Sequence, residues 1–258
     1  MNEIKFFLKK IRSLYYYLLY SIIDYFLKRE GYVYKNSRMK SLFYLPYVRT
    51  DIIQKKIVVG RKYYEQENLD FICKNWNNGI IGAKIKDYAV LDIGANIGNH
   101  TLYFLNECDA CFVHCFEPIE DTFNILNNNI KLNQLENRTR LYNMAIGRDV
   151  GNALVTRYNR SNIGATTLTM SEKGEIKVIN IDSIKFGEKI GLVKIDVEGF
   201  EIEVLYGMLE TLRKQMPYMM IEILDVHFAE ASSLLKELGY QYKILDEKHG
   251  LKDCLFYK

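Results

Sequence analysis

Acidic residues recur in this chain where apolar runs stop. Asp92 stands near the end of Tyr88–Ile93, Glu117 directly follows Cys111–Phe116, Asp196 and Glu198 fall at the end of Leu192–Val197, and Glu222 comes near the end of Tyr218–Ile223. If each run is a strand of one parallel sheet, these five residues share the carboxyl edge, where such sheets bind ligands. Carboxylates there can hold a cationic ligand, accept hydrogen bonds from ligand hydroxyls, or take a proton from an acceptor.

The first of these ends carries the sharpest local signal. Gly94-Ala95-Asn96-Ile97-Gly98 turns from a strand into a helix, with glycines that allow a tight turn and close ligand approach. A dinucleotide site would place a glycine where Asn96 stands, so that the backbone could meet a pyrophosphate. Asp92, just before the turn, would repel that pyrophosphate and suits an ammonium or sulfonium instead. Glu117, one strand later, is spaced to accept from ribose hydroxyls. These features disfavour a nicotinamide oxidoreductase.

Strand periodicity places Lys194, Asp196 and Glu198 on one face of Leu192–Val197. Central parallel strands are normally apolar on both faces, so buried charges there require partners or a chemical role. Lys194 is expected to pair with a carboxylate at the strand edge. Asp196 and Glu198, joined by Asp92 and Glu222, are expected around one cleft.

The elements that position these residues follow from the pattern after Asp87. Strands at 88–93, 111–116, 141–146, 192–197 and 218–223 alternate with helices at 99–106, 120–133, 201–214 and 232–238. Segments 240–245 and 254–257 are expected to close the sheet as an antiparallel pair. Glycines at 147, 151, 164 and 174 among β-formers predict a β-hairpin insertion, followed by a short strand at 176–181. The fold class is α/β, a mostly parallel Rossmann-like sheet with helices on both faces. Residues 63–76 carry helical patterning.

Residues 1–57 read as an N-terminal extension and 58–258 as the sheet domain. Ile4, Phe7, Leu8, Ile11, Tyr15, Leu18, Ile22 and Phe26 recur at helical spacing, and the uncharged run Ser13–Ile23 is too short to span a bilayer. This amphipathic helix could lie on a membrane surface, pack on the body or join two subunits. A net charge of +3 gives no case for nucleic acid. Of the five cysteines, Cys108, Cys111 and Cys115 lie close together but lack a second ligand pair for zinc, and all five suit free thiols in a reducing cytoplasm. The expected location is cytoplasmic, with peripheral contact at the inner face of the membrane as an option.

The segments Asp92–Thr101, Phe116-Glu117-Pro118, Met144–Gly147 and Lys194–Glu201, together with Glu222, closely resemble FkbM-type methyltransferases in order and spacing, over roughly residues 58–258. The resemblance implies a class I methyltransferase fold, S-adenosylmethionine as donor and O-methylation of a sugar or nucleotide-sugar. By position it implies that Asp92, Gly94, Ala95, Asn96 and Gly98 line the methionine end, with His100 beside them. Glu117 would hold the ribose, Pro118 and Ala145 would flank the adenine, and Asp196 would sit below the reacting methyl. Asn162 and Gly164 match a family loop near the cofactor.

In-line methyl transfer gains much of its rate from alignment, and a hydroxyl acceptor also benefits from a base. Asp196, Glu198 and His227 are the candidates, with Asn162, Glu198 and Glu222 toward the acceptor. The reading carries no metal site; a Mg²⁺ held by Asp196, Glu198 and Glu222 is the lesser alternative. Competing functions are methylation of a nitrogen or phosphate-linked group and a non-catalytic cofactor-binding module.

Overall fold

The computed structural model describes residues 2–157, 166–248 and 250–258. Seven strands form the central sheet: β1 (Ala89–Ile93), β2 (Val113–Phe116), β3 (Thr139–Tyr142), β4 (Ile190–Ile195), β5 (Tyr218–Leu224), β6 (Gln241–Lys248) and β7 (Leu251–Tyr257). Their spatial order is β6-β7-β5-β4-β1-β2-β3. Strands β1 to β5 are mutually parallel, and β7 runs antiparallel between β5 and β6. The chain steps outward from β1 to β3 and then restarts on the other side of β1 with β4. That reversal opens a crevice at the carboxyl ends of β1 and β4, the ligand position of such sheets.

Burial explains why these strands are central. Every residue of β1 and β4 is buried, as expected where both faces of a parallel sheet are covered. Alternate residues serve opposite cores: Val90, Leu192 and Met220 pack with Leu102, Leu126 and Ile130, while Leu91, Val193 and Ile221 pack with Val204, Leu212 and Leu235.

The principal helices are α1 (Asn2–Arg29), α2 (Ile52–Gly60), α3 (Asn99–Asn106), α4 (Glu120–Leu132), α5 (Glu201–Tyr206), α6 (Leu209–Gln215) and α7 (Asp225–Glu237). Asp51 caps α2 by accepting from the Gln54 amide at 2.9 Å. The helix expected over 201–214 is two helices. Gly207 lies so close to Gly147 that a Cβ there would stand 2.0 Å from the Gly147 carbonyl oxygen. The chain bends at that contact.

The strand expected over 141–146 also divides. Asn143 Nδ2 donates to the carbonyls of Glu117 and Pro118, and the chain then leaves the central sheet. Ala145–Ile146 joins Gly151–Arg157, Thr167–Met170 and Ile176–Ile179 in a separate four-stranded sheet. The expected hairpin is therefore two strands of a small sheet. Asn162 and Gly164 lie outside the described residues. Over 63–76 the helical pattern resolves into a short helix at Gln66–Asp70 and a wider turn at Phe71–Asn75.

Helix α1 packs through its last turns, where Leu27 and Ile23 meet the body. Leu14, Tyr15, Tyr16, Tyr17 and Leu18 are exposed at consecutive positions, so apolar side chains face outward all round the helix there. No helix among the described residues is long and apolar enough to cross a membrane.

Candidate active site

The turn between β1 and α3 is shaped by three residues in left-handed backbone conformation, Gly94, Asn96 and Gly98. Gly94 has φ +77, and a Cβ there would meet the Asp196 carbonyl oxygen at 1.8 Å, so this position admits only glycine. Asn96 has φ 51, a conformation that asparagine tolerates better than most residues. That tolerance accounts for asparagine at the place of the middle glycine of a dinucleotide turn.

Beneath the turn, Lys194 is buried with Asp92. Its Nζ lies 3.4 Å from Asp92 Oδ1 and 3.4 Å from Asp196 Oδ2 and donates to the Gly94 carbonyl at 2.6 Å. Burial alone would lower the lysine pKa; Asp196 and Asp92 outweigh it and hold the ammonium more firmly charged. Asp92 Oδ2 also accepts from Thr101 Oγ1 at 2.5 Å. This corrects the expectation for Asp92: its carboxylate is sealed under the turn and does not line the cleft.

The crevice is a concave cleft lined by both apolar and polar side chains, the setting in which small-molecule sites are found. At one end Glu117 accepts from the Asn96 and Ile119 amides, each at 2.9 Å. Burial pushes its carboxyl up to about 7 against those two donors. Thr122 Oγ1 nearby is buried without a hydrogen-bond partner. Phe116, Pro118, Met144 and Ala145 complete an apolar slot, and Phe116 stacks on Tyr142 with ring centroids 4.5 Å apart.

The other end is acidic. Asp196, Glu198, Glu222 and Glu65 all line it. Asp253 stands directly across from Glu222 in the β5–β7 pairing. The Glu222 carboxyl is pushed far above the carboxylate range, first by the charge on Asp196, then by burial and the remaining acids. Asp253 is raised to about 7, mainly by burial. Glu198 has φ 49, a backbone strain of order 1–3 kcal/mol for a non-glycine residue.

Gly94, Asn96, Glu117, Pro118, Ala145, Asp196, Glu198 and Glu222 thus converge on one cleft. Ala95 and Gly98 are buried behind the turn and shape it without lining it. His100 is buried with Nε2 3.5 Å from Glu65 Oε2, so it stands behind a cleft residue. His227 is a correction: its Nδ1 meets Glu201 Oε2 at 2.7 Å on α7, away from the cleft lining. It does not stand with the candidate bases.

Sequence reasoning missed Tyr64, Glu65, Thr122 and Asp253. No local signal marks the first two; the fold brings them in, with the Asn99 side chain clamping the Tyr64 backbone through bonds of 2.9 and 3.0 Å. Oxygens of Asp196, Glu198 and Glu222 lie within 4.8 Å of one another, as do those of Glu65, Glu222 and Asp253. Either trio has a spacing that a hard cation tolerates.

Residues 92–242 match the family model described as the Methyltransferase FkbM domain, more than half of the 258 residues. The chain belongs to the FkbM methyltransferase family. Among curated relatives, "Methyltransferase 1" of Beauveria bassiana is 23% identical over 181 residues, covering 60% of this chain and 72% of that protein. The hexuronic acid methyltransferase AglP of Haloferax volcanii is 33% identical over 147 residues, covering 54% of this chain and 56% of that protein. A crystal structure of an FkbM methyltransferase from Methylobacillus flagellatus superposes with TM-score 0.51 at 18% identity, over 67% of this chain and 44% of that one. The chain therefore spans little more than half of the Haloferax relative and under half of the Methylobacillus chain. The mostly parallel sheet is that of class I methyltransferases.

Proposed function

We propose that this family member transfers a methyl group from S-adenosylmethionine to a hydroxyl of a sugar, in a glycan or a nucleotide-sugar. The observation that carries the reading is the polarity of the cleft. One end offers Glu117 and the unpartnered Thr122 hydroxyl beside an apolar slot, suited to a ribose and adenine; the other gathers carboxylates beside the Gly94 turn. That acidic end suits the ammonium and sulfonium of the donor, which supplies the electrophilic methyl when bound.

The same charge distribution selects the acceptor. A carboxylate or phosphate oxygen at the acidic end would meet Asp196, Glu198 and Glu222, whereas neutral hydroxyls can donate to them. This favours hydroxyl methylation over esterification of an acid or phosphate. Asp196, held in place by Lys194, aligns the acceptor, Glu198 takes its proton, and Glu222 lies beside the acceptor as a hydrogen-bonding group. The name of the Haloferax relative supports a sugar acceptor.

The test is calorimetry with S-adenosylhomocysteine and NAD, followed by transfer of a labelled methyl group to glycans, nucleotide-sugars and amines, with and without EDTA. Binding of S-adenosylhomocysteine and an ether product are expected, with turnover unchanged by EDTA. An N-methylated product would move the reading to amines, and metal-restored activity after EDTA would assign the carboxylates to Mg²⁺. NAD binding alone would end it.

A further inference from the structure

The cleft does not stop at its acidic end. Tyr64, Glu65 and Glu222 also wall a second, wider groove that reaches Asp253 on one side and α1 and α2 on the other. Its outer wall is basic and aromatic. Arg12 lies 5.7 Å from the Tyr16 ring centroid, Lys55 lies 5.0 Å from that of Tyr20, and Lys56 lies 4.7 Å from that of Tyr64.

The charges along this groove are unbalanced in opposite senses. Lys62 and Lys248, also on its wall, are each neutralised by an acid, Glu67 and Asp246. Among the described residues, Arg12, Lys55 and Lys56 make no ion pair with a carboxylate; Lys55 donates only to the Thr50 carbonyl. At the floor, Glu65, Glu222 and Asp253 crowd together, and the Glu222 carboxyl is raised first by the charge on Asp196, then by burial, and then by Asp253 and Glu65. A ligand that fills the groove must therefore offer hydroxyls to the floor and a negative charge to the rim. Tyrosine faces between the two ends suit the apolar faces of sugar rings.

We propose that this groove is the acceptor site and that the acceptor is a glycan carrying a fixed negative charge, a phosphate or a carboxylate, remote from the hydroxyl that is methylated. The inference rests on the sugar-methyltransferase reading and adds the acceptor's charge and its direction of entry. The charged group contacts Arg12 and Lys55 from α1 and α2, which makes α1 part of the acceptor site. A nucleic acid does not meet these terms, because its successive phosphates would run onto the acidic floor.

The experiment is ligand-observed NMR on full-length protein saturated with S-adenosylhomocysteine. The probes are methyl glucoside, glucose 1-phosphate, glucuronic acid and inorganic phosphate. One charged sugar is expected to bind at least about tenfold more tightly than methyl glucoside and than inorganic phosphate alone. The preference should fall to the neutral level in an Arg12→Gln/Lys55→Gln double variant that still binds S-adenosylhomocysteine. It should likewise collapse for the parent protein in 1 M salt, where screening is nearly complete. Preference for glucose 1-phosphate assigns the charge to a phosphate, and preference for glucuronic acid assigns it to a uronate; both uphold the proposal. Equal binding of neutral and charged sugars, binding of phosphate alone as tightly as its sugar ester, absence of charged-sugar binding, or a preference that survives the double variant overturns it. Failure to bind S-adenosylhomocysteine is a separate outcome and sinks the methyltransferase reading beneath it.

Discussion

Lys194 and Asp92 stand opposite each other in register across β4 and β1, ammonium 3.4 Å from carboxylate, both out of solvent. The same ammonium reaches Asp196 at 3.4 Å on its other side, where the side chain is 29% exposed at the cleft. One lysine therefore joins an acid of the core to an acid of the site.

Asp92→Asn and Asp196→Asn should accordingly separate stability from chemistry. The first leaves a buried ammonium short of its buried partner and should cost about 3–5 kcal/mol in urea unfolding. The second keeps the Asp92 pair and should cost about 1 kcal/mol or less, while turnover drops about 10²-fold or more. Matching stability losses in the two variants would assign Asp196 to the fold.

Glu117 makes the ligand-free protein sensitive to pH. Its carboxyl is raised by burial from 4.5 to about 7, so the folded state binds the proton more tightly than the unfolded chain. Stability contributed by the protonated form is complete below about pH 4.5 and is lost as pH rises through about 7, some 3 kcal/mol for such a shift. Thermal midpoints measured from pH 4.5 to 8 should decline more steeply for the parent than for Glu117→Gln. The same variant should weaken S-adenosylhomocysteine binding by about 1–3 kcal/mol.

Gly94→Ala should abolish cofactor binding. The added Cβ would sit 1.8 Å from the Asp196 carbonyl oxygen, and the left-handed backbone adds about 1–2 kcal/mol for any L side chain. Calorimetry showing S-adenosylhomocysteine bound with parental affinity would refute the role given to this turn.

Deletion of residues 1–22 should leave the core folded and cofactor affinity unchanged, because Ile23 and Leu27 still pack and no α1 residue lines the cofactor cleft. The exposed tyrosines and leucines beside basic residues are suited to an anionic membrane surface. Flotation with phosphatidylglycerol vesicles should retain the full chain and release the truncated one. Dimerisation lost on truncation, without vesicle binding, would instead make α1 a subunit contact.

Much of this arrangement was legible in the sequence because it follows from strand ends. Asp196, Glu198 and Glu222 meet since parallel strands deliver their last residues to one edge. Asp92 was misplaced because periodicity gives a residue's face but not its depth. It shares the buried face of Val90, two residues away, and Lys194 holds it there. His227 was misplaced because a helix start was read seven residues late, which hid its pairing with Glu201. Tyr64, Glu65 and Asp253 come from segments far from the strand-end motifs, and only the tertiary fold brings them to the cleft.

The position of β7 sets an order on assembly. It follows every other strand of the sheet in the chain, yet it occupies an interior place between β5 and β6. During vectorial synthesis β5 therefore waits with an open edge, the kind of unpaired surface that recruits foreign strands. Asp253 arrives with β7, so the acidic pocket gains its full complement of charge in the step that seals the edge. A nascent chain cannot present the finished pocket before the β5 edge is closed.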